Sequence, residues 1–210
     1  MQDFKKLQEA VIIANDEDAI EIVNALLSSG ISANCILSDG LIKGMEEVGK
    51  LFAKREIFLP DVLISAKTMK LCVEILKPLL IMEDVKSAGK IVIGTVKGDL
   101  HDIGKNLVSI MLNGAGIEVI DLGHNVPSEK FIDAAIENNV KIIGLSALLT
   151  TTMPSMKEII DLKKQRNLND IKVIIGGAPV NEKFAKEIGA DAYCYDAANA
   201  VEVVKNLLIN

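Results

Sequence analysis

Tryptophan is absent from this 210-residue chain, and aromatic residues make up only 3% of it. That leaves little to stack on nucleic-acid bases. The charge balance, 23 basic against 29 acidic residues for a net of -6, gives no footing for a phosphate backbone. No nucleic-acid partner is therefore expected. Cysteine is scarce: Cys35, Cys72 and Cys194 are odd in number, far apart, and form no C-x-x-C pair. That excludes a disulfide framework and a structural zinc site, and it fits free thiols in a reducing compartment. Histidine occurs twice, as His101 and His124, too few for a metal site made wholly of protein ligands. No apolar run is long enough to span a bilayer. The Met1–Lys6 start carries an acid and leads into no signal-like block. A soluble cytoplasmic protein without a membrane partner is expected.

What the chain does have is aliphatic bulk. Half of its residues are apolar, enough for one large domain or two small ones. Up to about residue 83 the pattern is helical. Phe4, Leu7, Val11 and Ile12 repeat at helical spacing. Asn15-Asp16-Glu17-Asp18 breaks the pattern and caps a second helix through about Leu27, which Ser28-Ser29-Gly30 ends. A third helix is predicted from about Asn34 to Lys54, with Leu37, Leu41, Met45, Val48, Leu51 and Phe52 on its apolar side. A fourth begins at Pro60, a residue suited to a first helical turn. It carries Val62, Leu63, Ala66, Met69, Leu71, Val73, Ile75 and Leu76. Four such helices with short connections predict a small bundle, a domain of residues 1–86. Residues 84–89 are small and polar and read as a linker.

From Lys90 the rhythm changes. Strand-like runs at 91–96, 117–122, 142–147, 172–176 and 191–195 alternate with helical patterns at about 103–115, 128–138, 154–166, 181–188 and 197–208. Such alternation predicts parallel strands with right-handed crossovers, and strands apolar throughout are those covered on both faces. The expected fold class is α+β in two domains. A four-helix bundle precedes a Rossmann- or flavodoxin-like α/β domain, residues 90–210, with a five-stranded parallel sheet.

The candidate site lies on the loop after the first strand, Lys97-Gly98-Asp99-Leu100-His101-Asp102-Ile103-Gly104-Lys105-Asn106. In an open parallel sheet, ligands bind at the C-terminal ends of the strands. Taken alone, His101 reads as a locally bonded loop histidine. Asp99, two residues earlier, can hold one ring nitrogen and leave the other for a metal, as carboxylates behind metal-bound histidines do. A single protein ligand suits a cofactor that supplies the rest of its own coordination. Ser146 closes the third strand and runs into Thr150-Thr151-Thr152, and Gly176-Gly177 closes the fourth. A glycine pair alone signals a tight turn. Together with Gly104 and Ser146 it leaves a slot free of side-chain bulk. Neither a Walker loop nor G-x-G-x-x-G follows the first strand, which argues against a dinucleotide.

Asp99-x-His101-x-x-Gly104, Ser146-x-Leu148 and Gly176-Gly177, with 41 residues between Gly104 and Ser146 and 27 between Leu148 and Gly176, resemble the cobalamin-binding signature of B12-dependent methyltransferases and mutases. The helical half, in Gly44–Phe52, Phe58-Leu59-Pro60, Ala66 and Met69, resembles the cap domain of the methyltransferase branch. The resemblance covers nearly the whole chain.

It implies a cobalamin or related corrinoid, in methylcobalamin and Co(I) forms, held between the two domains with its nucleotide tail in the slot of the sheet. His101 would be the lower axial ligand of cobalt, Asp99 its hydrogen-bond partner, and Thr152 the hydroxyl that ends the relay. Asp102, Ile103, Gly104, Ser146, Leu148, Thr150, Gly176 and Gly177 would line the cofactor site. Phe52, Leu59 and Val62 would cover the upper face; without the resemblance they read as bundle core. The relay would couple proton uptake to the change in cobalt coordination. The linker would permit a domain rearrangement that uncovers the methyl group. His124 reads as a loop histidine or a contact to a corrin side chain or partner.

The implied function is that of a methyl carrier subunit. It takes a methyl group on Co(I) from a substrate-specific methyltransferase. It passes the group to a second methyltransferase acting on tetrahydrofolate or a thiol, and a reductive activase maintains the system. The alternatives are a B12-dependent sensor or regulator and a mutase cobalamin subunit.

Overall fold

The computed structural model describes residues 2–82 and 89–209, with only the backbone of Gln2, Ile81 and Met82. Two compact units emerge. One gathers the helices up to Met82 with Asn113–Gly116, and the other gathers the remainder. The predicted linker at 84–89 lies outside the described residues except for Gly89. That glycine opens the first strand, where it pairs with Ile117.

The first unit begins with α1, Gln2–Ile12. It is followed by α2, Asp16–Ser28, whose cap is Asn15: the side-chain oxygen accepts the Asp18 N–H at 3.2 Å. The third predicted helix forms as three windings: α3, Ala33–Cys35, a π-helical stretch Ile36–Ile42, and α4, Lys43–Ala53. The wide π turn brings Ile36 and Leu41, five residues apart, onto one face, and both are fully buried. Leu37, predicted for that face from regular helical spacing, is only half-buried. The side-chain amide of Gln8 on α1 donates to the Asp39 carbonyl at 2.7 Å in this stretch. Gly40 lets α1 approach, since a Cβ there would lie 2.5 Å from Leu7 Cδ2.

Helix α5, Leu59–Met82, starts one residue before the predicted proline. It buries Val62, Ser65, Thr68, Met69, Cys72 and Leu76. Leu63 and Leu71, predicted for the apolar face, are 43% and 37% exposed instead. The helix is apolar on most sides, so periodicity alone cannot choose its inner face. Two hydroxyls do: Ser65 donates to the Ile12 carbonyl at 3.3 Å and Thr68 to Asp16 Oδ1 at 2.5 Å. Burying them costs little because both are bonded.

The second unit alternates β1 (Gly89–Thr95), α6 (Ile103–Gly114), β2 (Ile117–Asp121), α7 (Ser128–Glu137), β3 (Ile142–Ser146), α8 (Pro154–Gln165), β4 (Lys172–Gly176), α9 (Glu182–Ile188), β5 (Ala192–Cys194) and α10 (Ala197–Ile209). All pairings are parallel, in the order β2-β1-β3-β4-β5. The core is aliphatic around one large ring: Phe131 of α7 is fully buried among Val92, Val96, Ile143, Leu145, Met156 and others. Gly94 on β1 admits that ring, because a Cβ there would come within 2.7 Å of it. The strand order reverses between β1 and β3. Their C-terminal ends therefore flank a crevice, the usual ligand position in a doubly wound sheet.

Candidate functional site

The site is built from the two loops that leave β1 and β3. Thr95 and Ser146 end those strands side by side in register. After Val96, which bridges to Val126, the chain turns at Gly98 (φ 84°) and delivers Asp99 inward. Asp99 has no exposed surface.

A buried carboxylate needs donors for both oxygens, and here each oxygen has them. Oδ1 accepts the His101 backbone N–H at 3.0 Å and faces His101 Nδ1 at 2.8 Å. Oδ2 accepts the Leu148 N–H at 2.7 Å, the Leu149 N–H at 3.2 Å and the Thr152 hydroxyl at 2.8 Å. Burial by itself would raise the carboxyl pKa. The His101 and Leu148 N–H groups, the His101 ring and the Thr152 hydroxyl outweigh it and hold the group well below the usual carboxylate range. Asp99 thus stays ionised and ties the β1 loop to the β3 loop.

His101 is the outward product of this arrangement. Its side chain is 51% exposed. With Nδ1 held by Asp99, Nε2 is directed away from the carboxylate. Thr95, fully buried, donates its hydroxyl to the His101 carbonyl at 3.2 Å. The same two loops expose large apolar side chains to water: Leu100 is 64% exposed, Ile103 72% and Leu148 43%.

The structure thus brings Asp99, His101 and Thr152 into one chain of hydrogen bonds. Leu148 joins it through its backbone rather than its side chain. Ser146, half-buried, and Gly176 pair across β3 and β4. Gly177 adopts φ 128°, and a Cβ there would lie 1.8 Å from the Ala147 carbonyl oxygen, so only glycine fits. At Gly104 a Cβ would meet nothing within 4 Å, leaving open space at the start of α6. Asp102 accepts the Asn106 N–H through its carbonyl at 2.8 Å. Thr150 is exposed beside the relay and takes no part in it, and His124 is exposed on the β2–α7 loop. In the helical unit Val62 is fully buried, while Phe52 and Leu59 are half-buried.

Several contributors were not evident from the sequence. The Leu149 N–H and the Thr95 hydroxyl serve the relay. So does Asn125, whose N–H donates to the Asp99 carbonyl at 3.0 Å and whose Oδ1 accepts the Gly98 N–H at 2.8 Å. Of these, only the Asn125 position carries a sequence signal, as an asparagine in a Gly-His-Asn turn.

Among the described residues no cluster of three metal-ligating side chains forms. The residues present fit a metal that brings its own equatorial ligands and needs one imidazole beneath it. They also fit a bulky apolar ring system, given the exposed Leu100, Ile103 and Leu148, and a long appendage that passes glycines. Fold and site define a cofactor-binding α/β protein that presents one imidazole at the switch point of its sheet.

Comparison with known proteins agrees. Residues 89–205 match a family model described as a B12 binding domain, and residues 3–77 match a second model, also described as a B12 binding domain. The chain belongs to the B12-binding corrinoid proteins. It is 42% identical over 207 residues to a corrinoid protein of Desulfitobacterium hafniense strain Y51, covering 97% of this chain and 96% of that one. It is 44% identical over 206 residues to dimethylamine corrinoid protein 1 of Methanosarcina acetivorans, covering 96% and 97%. Among solved structures it resembles a chain of the methanol:cobalamin methyltransferase complex MtaBC from Methanosarcina barkeri. There the TM-score is 0.88 at 30% identity, over 100% of this chain and 80% of that one. Among the described residues, no helix is long and apolar enough to cross a membrane.

Proposed function

We propose that this protein is the methyl carrier of a corrinoid methyltransferase system. In this reading a substrate-specific methyltransferase loads it. A second methyltransferase, acting on tetrahydrofolate or a thiol, unloads it, and a reductive activase restores the carrier. When bound, the corrinoid supplies a cobalt centre that takes up and gives back a methyl group.

The observation that carries the reading is the Asp99–His101 pair at 2.8 Å. It fixes the ring so that Nε2 would be the atom offered to the cobalt. The Leu148 and Leu149 N–H groups and the Thr152 hydroxyl keep the Asp99 carboxylate ionised and in place. A proton on the relay would reside on the His101 ring or pass through it. Leu100, Asp102, Ile103 and Leu148, on the two loops that Asp99 joins, are the proposed contacts of the corrin beside the imidazole. Gly104, Ser146, Thr150 and Gly176-Gly177 leave room for the nucleotide tail. Phe52, Leu59 and Val62 are the proposed cap residues. Two of the relatives named above carry different methyl donors in their names, dimethylamine and methanol, so we assign donor choice to the partner methyltransferase and not to this chain.

Reconstitution of the full chain with methylcobalamin tests the assignment. The spectrum should be that of a histidine-ligated corrinoid, and His101→Ala should convert it to the base-off form. Identical spectra would remove the axial assignment. The carrier role predicts that labelled methyl groups pass from the loaded protein to tetrahydrofolate or coenzyme M, in extract of the producing cells, faster than from free methylcobalamin. Equal rates would sink it.

A further inference from the structure

Helix α6 starts two residues after His101, and its third residue is Lys105. The Lys105 side chain is only 1% exposed. A cation near a helix N-terminus opposes the helix dipole, and burying it costs desolvation. Both penalties are offset by the neighbours of its ammonium. Nζ lies 2.5 Å from Oδ2 of Asp121, the last residue of β2, and 2.7 Å from Asn106 Oδ1. The other Asp121 oxygen accepts the Gly123 N–H at 2.8 Å.

Farther along the same loop, Asn125 grips the opposite side of the histidine loop. Its Oδ1 takes the Gly98 N–H and its N–H reaches the Asp99 carbonyl, at 2.8 and 3.0 Å. Asn125 sits at φ 53°, a left-handed conformation that asparagine tolerates better than most residues. The segment 121–125 is therefore bonded to the His101 loop twice: before the histidine, at Gly98 and Asp99, and after it, at Lys105. None of these bonds touches the imidazole.

We propose that Lys105, through Asp121, and Asn125, through the Gly98–Asp99 backbone, are positioning residues for His101: together they brace its loop from the end of β2 and set where Nε2 stands. The proposal rests on the reading of His101 as axial ligand. Side chains that need only fill space could have done so without a buried ammonium. An ion pair at this place fixes α6 against β2 in a single register, and the histidine is carried on that junction.

The test loads the full-length protein and its variants with methylcobalamin and measures the ratio of histidine-ligated to base-off corrinoid, with His101→Ala as the base-off reference. Lys105→Met and Asn125→Gly should each shift the ratio toward base-off on the order of fivefold, as expected for one lost buried hydrogen bond. Asn125→Gly keeps the left-handed backbone and loses only the side-chain acceptor. Asn125→Asp restores that acceptor and should restore the wild-type ratio. Asp121→Asn should match Lys105→Met, and the double variant should add nothing, because one pair is being removed. If Lys105→Met does not fold, the two Asn125 variants decide the matter. Variants that unfold at lower temperature yet keep the wild-type ratio would show a merely structural role and overturn the proposal. A wild-type spectrum that His101→Ala leaves unchanged would remove the axial reading and the brace together. A His101-dependent spectrum indifferent to the brace variants would remove only the brace.

Discussion

His101 Nδ1 lies 2.8 Å from Asp99 Oδ1, and the same oxygen accepts the His101 backbone N–H at 3.0 Å. One carboxylate oxygen thus fixes both the ring and the peptide of the residue that carries it. The other oxygen of Asp99 is fully engaged by the β3 loop. The first prediction concerns Asp99→Asn, which keeps the shape and loses the charge. An amide presents one acceptor oxygen where five donors converge, so buried donors lose their partners. The expected cost is about 1–3 kcal/mol, read as a lowered urea midpoint of the cofactor-free protein. An unchanged midpoint would contradict the accounting.

Acid should act through the same group. The Asp99 carboxyl in the folded protein is held well below its ordinary range, while in the unfolded chain it titrates near 3.9. Its stabilising contribution is therefore complete above the unfolded value and is lost as pH falls below about 4 toward the folded value. Unfolding of the wild type, followed from pH 5 to pH 3, should show a steeper loss than Asp99→Asn. Parallel curves would show that Asp99 is not the group responsible.

Thr152 supplies a hydroxyl that donates to Asp99 Oδ2 at 2.8 Å and lies 2.9 Å from the Leu149 carbonyl. Thr152→Val preserves the volume and removes the donor. It should cost about 1 kcal/mol and lower the fraction of histidine-ligated corrinoid. Thr152→Ser should retain most of both. Thermal melts and visible spectra of the two variants check this directly.

Gly104 and Gly177 should separate fold from cofactor. A Cβ at Gly177 collides with the Ala147 carbonyl and the backbone is left-handed (φ 128°), so Gly177→Ala should destabilise even the cofactor-free protein severely. A Cβ at Gly104 meets nothing, and alanine is the better helix former by about 0.5–1 kcal/mol. Gly104→Ala should therefore be neutral or slightly more stable without cofactor, yet bind methylcobalamin more weakly. Equal affinity would place the cofactor away from Gly104.

Thiol reactivity supplies an independent check of the core. Burial pushes the Cys72 thiol up to about 11 and Cys194 up to about 12, and Cys35 is exposed. Iodoacetamide at mildly alkaline pH should modify Cys35 alone in the folded protein, and all three in denaturant. Mass spectrometry of the alkylated chain counts them.

Much of this was legible before any coordinates. The strands and helices of the α/β unit fall within about two residues of the expected ranges. Apolar runs of strand length separated by amphipathic stretches leave few alternatives. Asp99, His101 and Gly104 lie within five positions of one another, so their meeting was a local matter. The helical half was legible in number but not in face. Regular spacing put Leu37, Leu63 and Leu71 inward. A π-helical stretch and the hydroxyls of Ser65 and Thr68 turned the helices to bury Ile36, Ser65 and Thr68 instead.

The sequence by itself determined which residues could ligate and which loop would carry them, because strand, turn and helix signals are encoded within short windows. Only the tertiary structure decided what holds them. Leu148, Leu149 and Thr152 reach Asp99 across about 50 positions of chain, and Asp121 reaches Lys105 across 16. Such partners meet because parallel pairing sets β1 between β2 and β3 and brings three loops to one edge. A buried carboxylate and a buried ammonium must then find their donors and acceptors among whatever the sheet delivers there.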